Sequence, residues 1–373
     1  MEDKKNDLFT IGIIAVILLT FAGMDLLFQA GLIHSAGTKT PDPLPVFSAR
    51  SFLNGKYFED YDAYSVKSFY KGPSWSKLVR GTEILLGKRE FQGILLGKKK
   101  TYFESRSGKK IGETAIADSL DFLEKLTLDF NAKVMLIPTA EEVWKDRLPA
   151  YAECFDQSAY LSNVFERVGE ESFVDLLQTL NEHKSEGIYY RTAPYWTTIA
   201  AYYGYYSWWE KSGKLYPYYY DLDRKILVTN HFVGDFAKRT GMEDQGEEMF
   251  ILKETEGKRI TVSYDDRVTV EGYYRSEYLD AQNPCGYYLG DEFGVAKIQT
   301  ESQRKNVLVV IGDLNANVMI PLMAPHYSTI WLINPNYYQG DVWDFLAEQK
   351  GEGTDYLVLQ GVLNFVELFD VKE

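Results

Sequence analysis

Residues 306–338 read NVLVVIGDLNANVMIPLMAPHYSTIWLINPNYY, and the fold class follows from how this stretch alternates. NVLVVI at 306–311 and TIWLI at 329–333 are short apolar runs rich in β-branched residues, and the segment around 316–323 between them reads as a helix. A strand that is apolar at consecutive positions is buried on both faces. The same grammar extends outward. KVMLIP at 133–138 follows a helical repeat of Ile116, Leu120, Leu123 and Leu126, and YLVLQ at 356–360 follows a helix-like segment at 341–349. Buried strands alternating with amphipathic helices predict an α/β fold whose parallel sheet is flanked by helices on both faces. Residues 245–300 break the pattern: RITVSY and VTVEGYY alternate around Asp265 and Asp266 and predict a small antiparallel insertion.

Open parallel sheets bind ligands outside the carboxyl ends of their strands. A site is therefore expected in the segments after 138, 190, 311 and 333. This nominates IGDLNAN at 311–317 and YYRTAPYW at 189–196, each a turn leading into a helix.

Composition narrows the function classes. Lys plus Arg number 40 against 54 Asp plus Glu, a net charge of −14, which removes the electrostatic attraction on which non-specific nucleic-acid binding depends. No nucleic-acid partner is expected. Hydrophobic residues at 45% and charged residues at 25% describe a folded chain. Cys154 and Cys285 lack any C-x-x-C spacing, so no metal site is readable, and the pair reads either as a disulfide or as two free thiols. No cofactor motif of the phosphate-loop, nucleophile-elbow or zinc-helix type is present.

The N-terminus carries TIGIIAVILLTFAGMDLLFQAGLI at 10–33, in which Asp25 is the only charge. About 20 apolar residues are what a bilayer-spanning helix needs. The expected organisation is a cytoplasmic tail at 1–9, a transmembrane anchor at 10–30, a proline-bearing linker at 31–49 and an extracytoplasmic domain at 50–373, the β-rich insertion lying within it at 245–300. Lys4 and Lys5 before the apolar run favour a cytoplasmic N-terminus. A cleaved signal peptide is the competing reading; the run exceeds the usual apolar core of such a peptide, and no A-x-A site follows.

The chain holds 28 Tyr, 21 Phe and 7 Trp, and residues 189–220 concentrate 11 of the tyrosines and three of the tryptophans. If 197–211 is helical, Tyr202, Tyr205, Tyr206 and Trp209 form one face and Tyr203 and Trp208 lie off it. A tyrosine-rich core helix and an exposed aromatic binding surface both explain this band.

LNEHKSEGIYYRTAPYWTTIAAYYGY at 180–205 and the 306–338 stretch resemble the DHHW family of membrane-anchored extracytoplasmic proteins, which is similar to the SGNH-like domains of alginate acetylation proteins. IPTAEEVWKDRLPAY at 137–151 and GYYLGDEFGVAKIQT at 286–300 support the resemblance. It implies an SGNH-hydrolase-like fold from about residue 50 onward. It also implies an Asp-His-His-Trp tetrad after the Tyr-Arg-Thr and an Asp-Ser after the later strand, which together supply acid, base and nucleophile.

Here the tetrad reads Ala193, Pro194, Tyr195, Trp196, and the serine position is Leu314 beside Asp313. A serine attacks only when a histidine takes its proton and a carboxylate orients that histidine. Alanine, proline and leucine do none of this, so no catalytic residue is expected at these positions. His34 borders the apolar run, His183 and His326 read as structural, and His231 reads as opening a helix at NHFVGDF. The expectation is a membrane-tethered extracytoplasmic protein that has lost the triad. It would bind or assemble a cell-envelope polysaccharide, or serve a membrane protein of its modification or export machinery, through a cleft at Arg191, Tyr195, Trp196, Asp313, Asn315 and Asn317. The alternatives are an O-acetyltransferase or esterase with relocated residues, and a structural partner of a membrane acyltransferase.

Overall fold

A computed structural model describes residues 89–370 except 108–109, 243–245, 253–258, 282 and 303–304, together with 72–88 and shorter stretches between 16 and 64. The chain divides into two compact units, Met1–Lys88 and Arg89–Glu373. Segment 50–88, which the expected organisation places in the extracytoplasmic domain at 50–373, lies in the first unit. That unit contains α1 (Ala49–Leu53) and α2 (Gly72–Leu85). Its Phe47, Phe52, Tyr57, Phe58, Tyr61 and Tyr64 rings form a chain of contacts at 5.0–6.2 Å. Most of the proposed anchor at 10–30 and of the linker at 31–49, with Asp25 and His34, lies outside the described residues. Among the described residues no helix is long and apolar enough to cross a membrane.

The second unit opens with a meander of β1 (Glu90–Phe91), β2 (Ile94–Leu96) and β3 (Tyr102–Glu104). Lys98, Lys99 and Lys100 form the exposed turn between β2 and β3. Then come α3 (Glu113–Phe130), β4 (Lys133–Ile137), α4 (Ala140–Val143), α5 (Gln157–Val168), α6 (Leu176–Glu182) and α7 (Thr198–Lys211). They are followed by β5 (Lys225–Phe232), α8 (Asp235–Thr240), β6 (Glu247–Leu252), β7 (Ile260–Tyr264), β8 (Val268–Glu271) and β9 (Val295–Thr300). The chain finishes with β10 (Val307–Gly312), α9 (Leu314–Met323), β11 (Thr329–Ile333), α10 (Val342–Glu348), β12 (Thr354–Gly361) and α11 (Val362–Glu367).

The four apolar runs become the parallel half of one sheet, in the order β4, β12, β10, β11. Their alternation has a direct consequence. In β10, Leu308 and Val310 enter one core while Val309 and Ile311 enter the other; in β12, Leu357 and Leu359 oppose Tyr356 and Val358. One face is covered by α6, α7 and α9, the other by α3, α5 and α11. In α3, Leu120, Leu123 and Leu126 supply the buried stripe, and Asn131 ends the helix in the left-handed conformation at φ 51°.

Three expectations require correction. The sheet is mixed rather than parallel, because β9 runs antiparallel beside β11 and the β7–β8 hairpin extends that edge to seven strands. Asp265 and Asp266 make the hairpin turn at φ 47° and 54°, and the two positive φ values match the right-handed twist of the flanking strands. Helix α9 is not amphipathic: every residue from Asn315 to Met323 is buried. A helix apolar on all sides belongs inside a large core. His231 lies in strand β5, and the helix of that region starts at Asp235.

The aromatic helix α7 buries Ala200, Ala201, Gly204, Tyr205, Trp208 and Trp209. The core face therefore runs through Trp208, which the spacing placed off it, while Tyr202 and Tyr206 are only half-buried. Small residues one turn apart let α7 approach closely: a β-carbon at Gly204 would meet the Trp196 ring at 3.0 Å. Inside this core the Tyr205 hydroxyl and His326 Nε2 share a 2.6 Å hydrogen bond, and Trp209 packs on the imidazole at 3.9 Å. His326 is structural, as is His183, which bonds Glu186 and stacks on Tyr203 at 3.6 Å. Cys154 is exposed and Cys285 buried, and both are free.

Candidate functional site

The carboxyl ends of β4, β10 and β12 converge on a cavity of about 200 Å³. Pro138, Thr139 and Glu141 follow β4, Asn315 follows β10, and Gly361 ends β12 with Asn364 just beyond it. Pro194 and Tyr195 reach it from the turn before α7, and Asp235 and Arg239 from α8. The segments after 138, 190 and 311 thus meet there, whereas the one after 333 does not reach the lining.

Asp313 occupies the end of β10 and caps α9. Its Oδ1 accepts the Asn315 backbone N–H at 2.9 Å, and its Oδ2 accepts the Gly361 N–H at 3.1 Å, Asn364 Nδ2 at 2.6 Å and Asn315 Nδ2 at 3.2 Å. Burial raises its pKa, and these donors partly oppose the shift. With both oxygens engaged in holding α9, β12 and α11 together, the carboxylate has little capacity left for a ligand.

Trp196 is fully buried and its indole N–H donates to the Asn315 carbonyl at 2.8 Å. No ring face is left for a sugar. Asn317, also buried, ties α9 to the loop before β9 by donating to the carbonyls of Tyr288 at 3.0 Å and Gly290 at 2.9 Å. Of the six expected cleft residues, Tyr195 and Asn315 line the cavity, while Asp313, Trp196 and Asn317 form the frame behind it. Arg191 points elsewhere: its guanidinium reaches the Lys100 carbonyl at 3.1 Å and Glu247 at 3.7 Å, beside a second cavity.

The substituted positions are built into the frame. Ala193 is buried, Pro194 faces the cavity and Leu314 is half-buried at the start of α9. Thr192 straps this turn to α8, accepting the Gly234 N–H on Oγ1 at 2.9 Å and the Phe236 N–H on its carbonyl at 3.1 Å. Only glycine fits at 234, where a β-carbon would sit 2.3 Å from the Thr192 carbonyl oxygen and 2.4 Å from the Ala193 β-carbon. Glu247 completes the strap by accepting the backbone N–H groups of Arg191 at 2.9 Å and Thr192 at 3.0 Å.

Sequence reasoning missed the charged lining. Glu141 accepts the Glu104 N–H at 3.1 Å, and burial pushes its carboxyl up. Asp235 is raised by burial despite nearby Arg239, and its buried Oδ1 has no hydrogen-bond partner. Arg106 bonds Glu367 and stands 3.9 Å from Glu104. Glu141 falls inside the quoted 137–151 segment and Asp235 inside NHFVGDF, but nothing in their spacing brings them together. Among the described residues, no serine, cysteine or histidine lines the cavity. The arrangement is suited to hydrogen bonding with a polar guest, since an unpaired buried acceptor calls for a donor.

No protein-family model matches the sequence, and no curated protein matches it. Solved structures do. A DHHW family protein from Eubacterium siraeum superposes with a TM-score of 0.60 at 17% identity, covering 74% of this chain and 93% of that one. Bacillus cereus PatB1, solved with a sulfonyl adduct, gives a TM-score of 0.56 at 18% identity, covering 75% of this chain and 98% of that one. The chain therefore has the fold of a DHHW family protein, the fold that the tetrad region and the 306–338 stretch implied.

Proposed function

We propose that this chain is a membrane-tethered, extracytoplasmic binding or assembly component of cell-envelope polysaccharide modification, on a scaffold that has lost triad catalysis. One observation carries the reading. A polar cavity persists at the carboxyl ends of the strands, while Ala193, Pro194 and Leu314 stand where the resemblance implies acid, base and nucleophile, and Asp313 is committed to capping. Loss of triad members costs several orders of magnitude in rate, and what remains comes from binding and the oxyanion hole alone. The Asp235 Oδ1 acceptor and the Tyr195 hydroxyl then meet hydroxyl groups of a glycan.

The test pairs two assays on the purified protein. A serine-reactive fluorophosphonate and a panel of acetyl esters should give neither labelling nor acetate release, while envelope glycan fragments should bind and lose at least tenfold in affinity with Asp235→Ala. Labelling removed by substitution of a single serine or threonine would establish an enzyme with relocated residues instead. Glycan binding that is absent altogether would leave the reading of the chain as a structural partner of a membrane complex.

A further inference from the structure

Next to the first cavity, beyond the buried Tyr189 ring that borders both, lies a cavity of about 390 Å³ with three cations on its wall: Arg147, Arg191 and Lys225. The carboxylates that share the wall are mostly committed. Glu247 accepts from the Arg191 and Thr192 backbone and from Thr192 Oγ1, and Glu186 is bonded by His183 and by the Tyr203 hydroxyl. Only Glu248 remains exposed without such a bond among the described residues. Arg191 in turn is held by Glu247 and the Lys100 carbonyl.

Arg147 is different. Its guanidinium lies 3.6 Å from the centroid of the Trp144 ring, its Nε is buried without a hydrogen-bond partner, and among the described residues the guanidinium makes one hydrogen bond, a long one from Nη1 to Thr101 Oγ1 at 3.5 Å. Among the described residues it has no carboxylate at ion-pair distance; the neighbouring Asp146 acts on it only through space, and burial lowers its pKa. A half-buried cation without a counter-ion has given up hydration that an incoming anion restores. Stacking on an indole also fixes the plane of the guanidinium fork, which is the geometry that takes two oxygens of one oxyanion side by side. Lys225, exposed and resting over the Phe250 ring at 4.5 Å, supplies a second cation, and Ile199 and Phe250 supply an apolar wall.

We propose that this second cavity is a binding site for an oxyanion-bearing ligand, with the Arg147 fork engaging a carboxylate or phosphoryl group and Lys225 assisting. The site is independent of the binding role assigned to the first cavity, because none of its cations lines that cavity.

Calorimetric titration of the full chain in chloride buffer tests this with three probes: glucuronate, inorganic phosphate and, as the neutral control, glucose. Saturable binding of the anions in the millimolar range is expected, weakening as salt is raised. Arg147→Gln should weaken it at least tenfold and Lys225→Gln severalfold, while Arg224→Gln, an exposed arginine paired with Asp221, should leave it unchanged. Tighter glucuronate binding would identify a carboxylate ligand, and tighter phosphate binding a phosphoryl one. The proposal is overturned if neither anion binds saturably, or if folded Arg147→Gln binds like the wild type. Should Arg147→Gln not fold, an undiminished affinity in Lys225→Gln overturns it.

Discussion

Replacing Asp313 with alanine tests whether the one acidic residue retained from the expected catalytic set is a structural clamp. The substitution removes an N-cap, at a cost of about 1 kcal/mol. It also leaves the buried Gly361 N–H without its acceptor, for about 1–3 kcal/mol more, while Asn364 is exposed and turns to water. Removing a desolvated carboxylate returns part of this, so a net loss of about 2 kcal/mol is expected. For the unit Arg89–Glu373, whose unfolding entropy is about 0.6 kcal/mol/K, that lowers the melting temperature by about 3 °C.

The pH dependence carries a sign that distinguishes the mechanism. Burial holds the Asp313 pKa above its ordinary 3.8. As pH falls through the raised value, the folded protein takes up the proton before the unfolded chain does, so the wild type gains stability that the alanine variant lacks. The gap between the two should widen from pH 7 toward pH 4.5. Asp313→Asn keeps the cap to Asn315 but places an amide donor where Oδ2 accepted both the Gly361 N–H and the Asn364 amide, so it too should melt below wild type. Thermal melts followed by near-ultraviolet circular dichroism provide the measurement. An alanine variant that melts within 1 °C of wild type at both pH values, yet no longer binds ligand, would refute the clamp and return Asp313 to the binding surface.

Trp196→Ala should cost about 3–5 kcal/mol and lower the urea midpoint, because it empties a fully buried site against Gly204 and frees the Asn315 carbonyl; a midpoint equal to wild type would show that the ring is not core. Gly234→Ala should lose about 1–3 kcal/mol in the same assay through collision with Thr192 and Ala193, and an unchanged midpoint would mean that the strap yields freely. Glu141→Gln should be more stable than wild type at pH 7, since it keeps an acceptor for the Glu104 N–H and removes a carboxylate whose pKa burial raises. That advantage should shrink as pH falls through the raised pKa toward 4.5, where the wild-type carboxyl is itself neutral; an advantage that grows on acidification would contradict the assigned direction.

The four apolar runs and the helical repeat before 133 were legible because a strand buried on both faces has to be apolar at consecutive positions, and this signal is local. The hairpin around Asp265 and Asp266 was legible for a similar reason, but not its attachment to β9, which turned a parallel sheet into a mixed one. Strand neighbours are chosen by pairing across long stretches of chain, and no window of sequence contains that choice. Helix α7 shows the same limit: helical spacing marked an aromatic face, but packing against Trp196 and α9 selected the face through Gly204 and Trp208. The absence of Asp, His and Ser from the expected positions was written in the sequence outright. That Trp196 and Asn317 serve as frame, that Arg191 belongs to a second cavity, and that Glu141 and Asp235 share the first one, were decided only in three dimensions. Burial and hydrogen-bond partners arise from residues far apart in the chain, and these, not residue type, determine which polar groups remain open to a ligand.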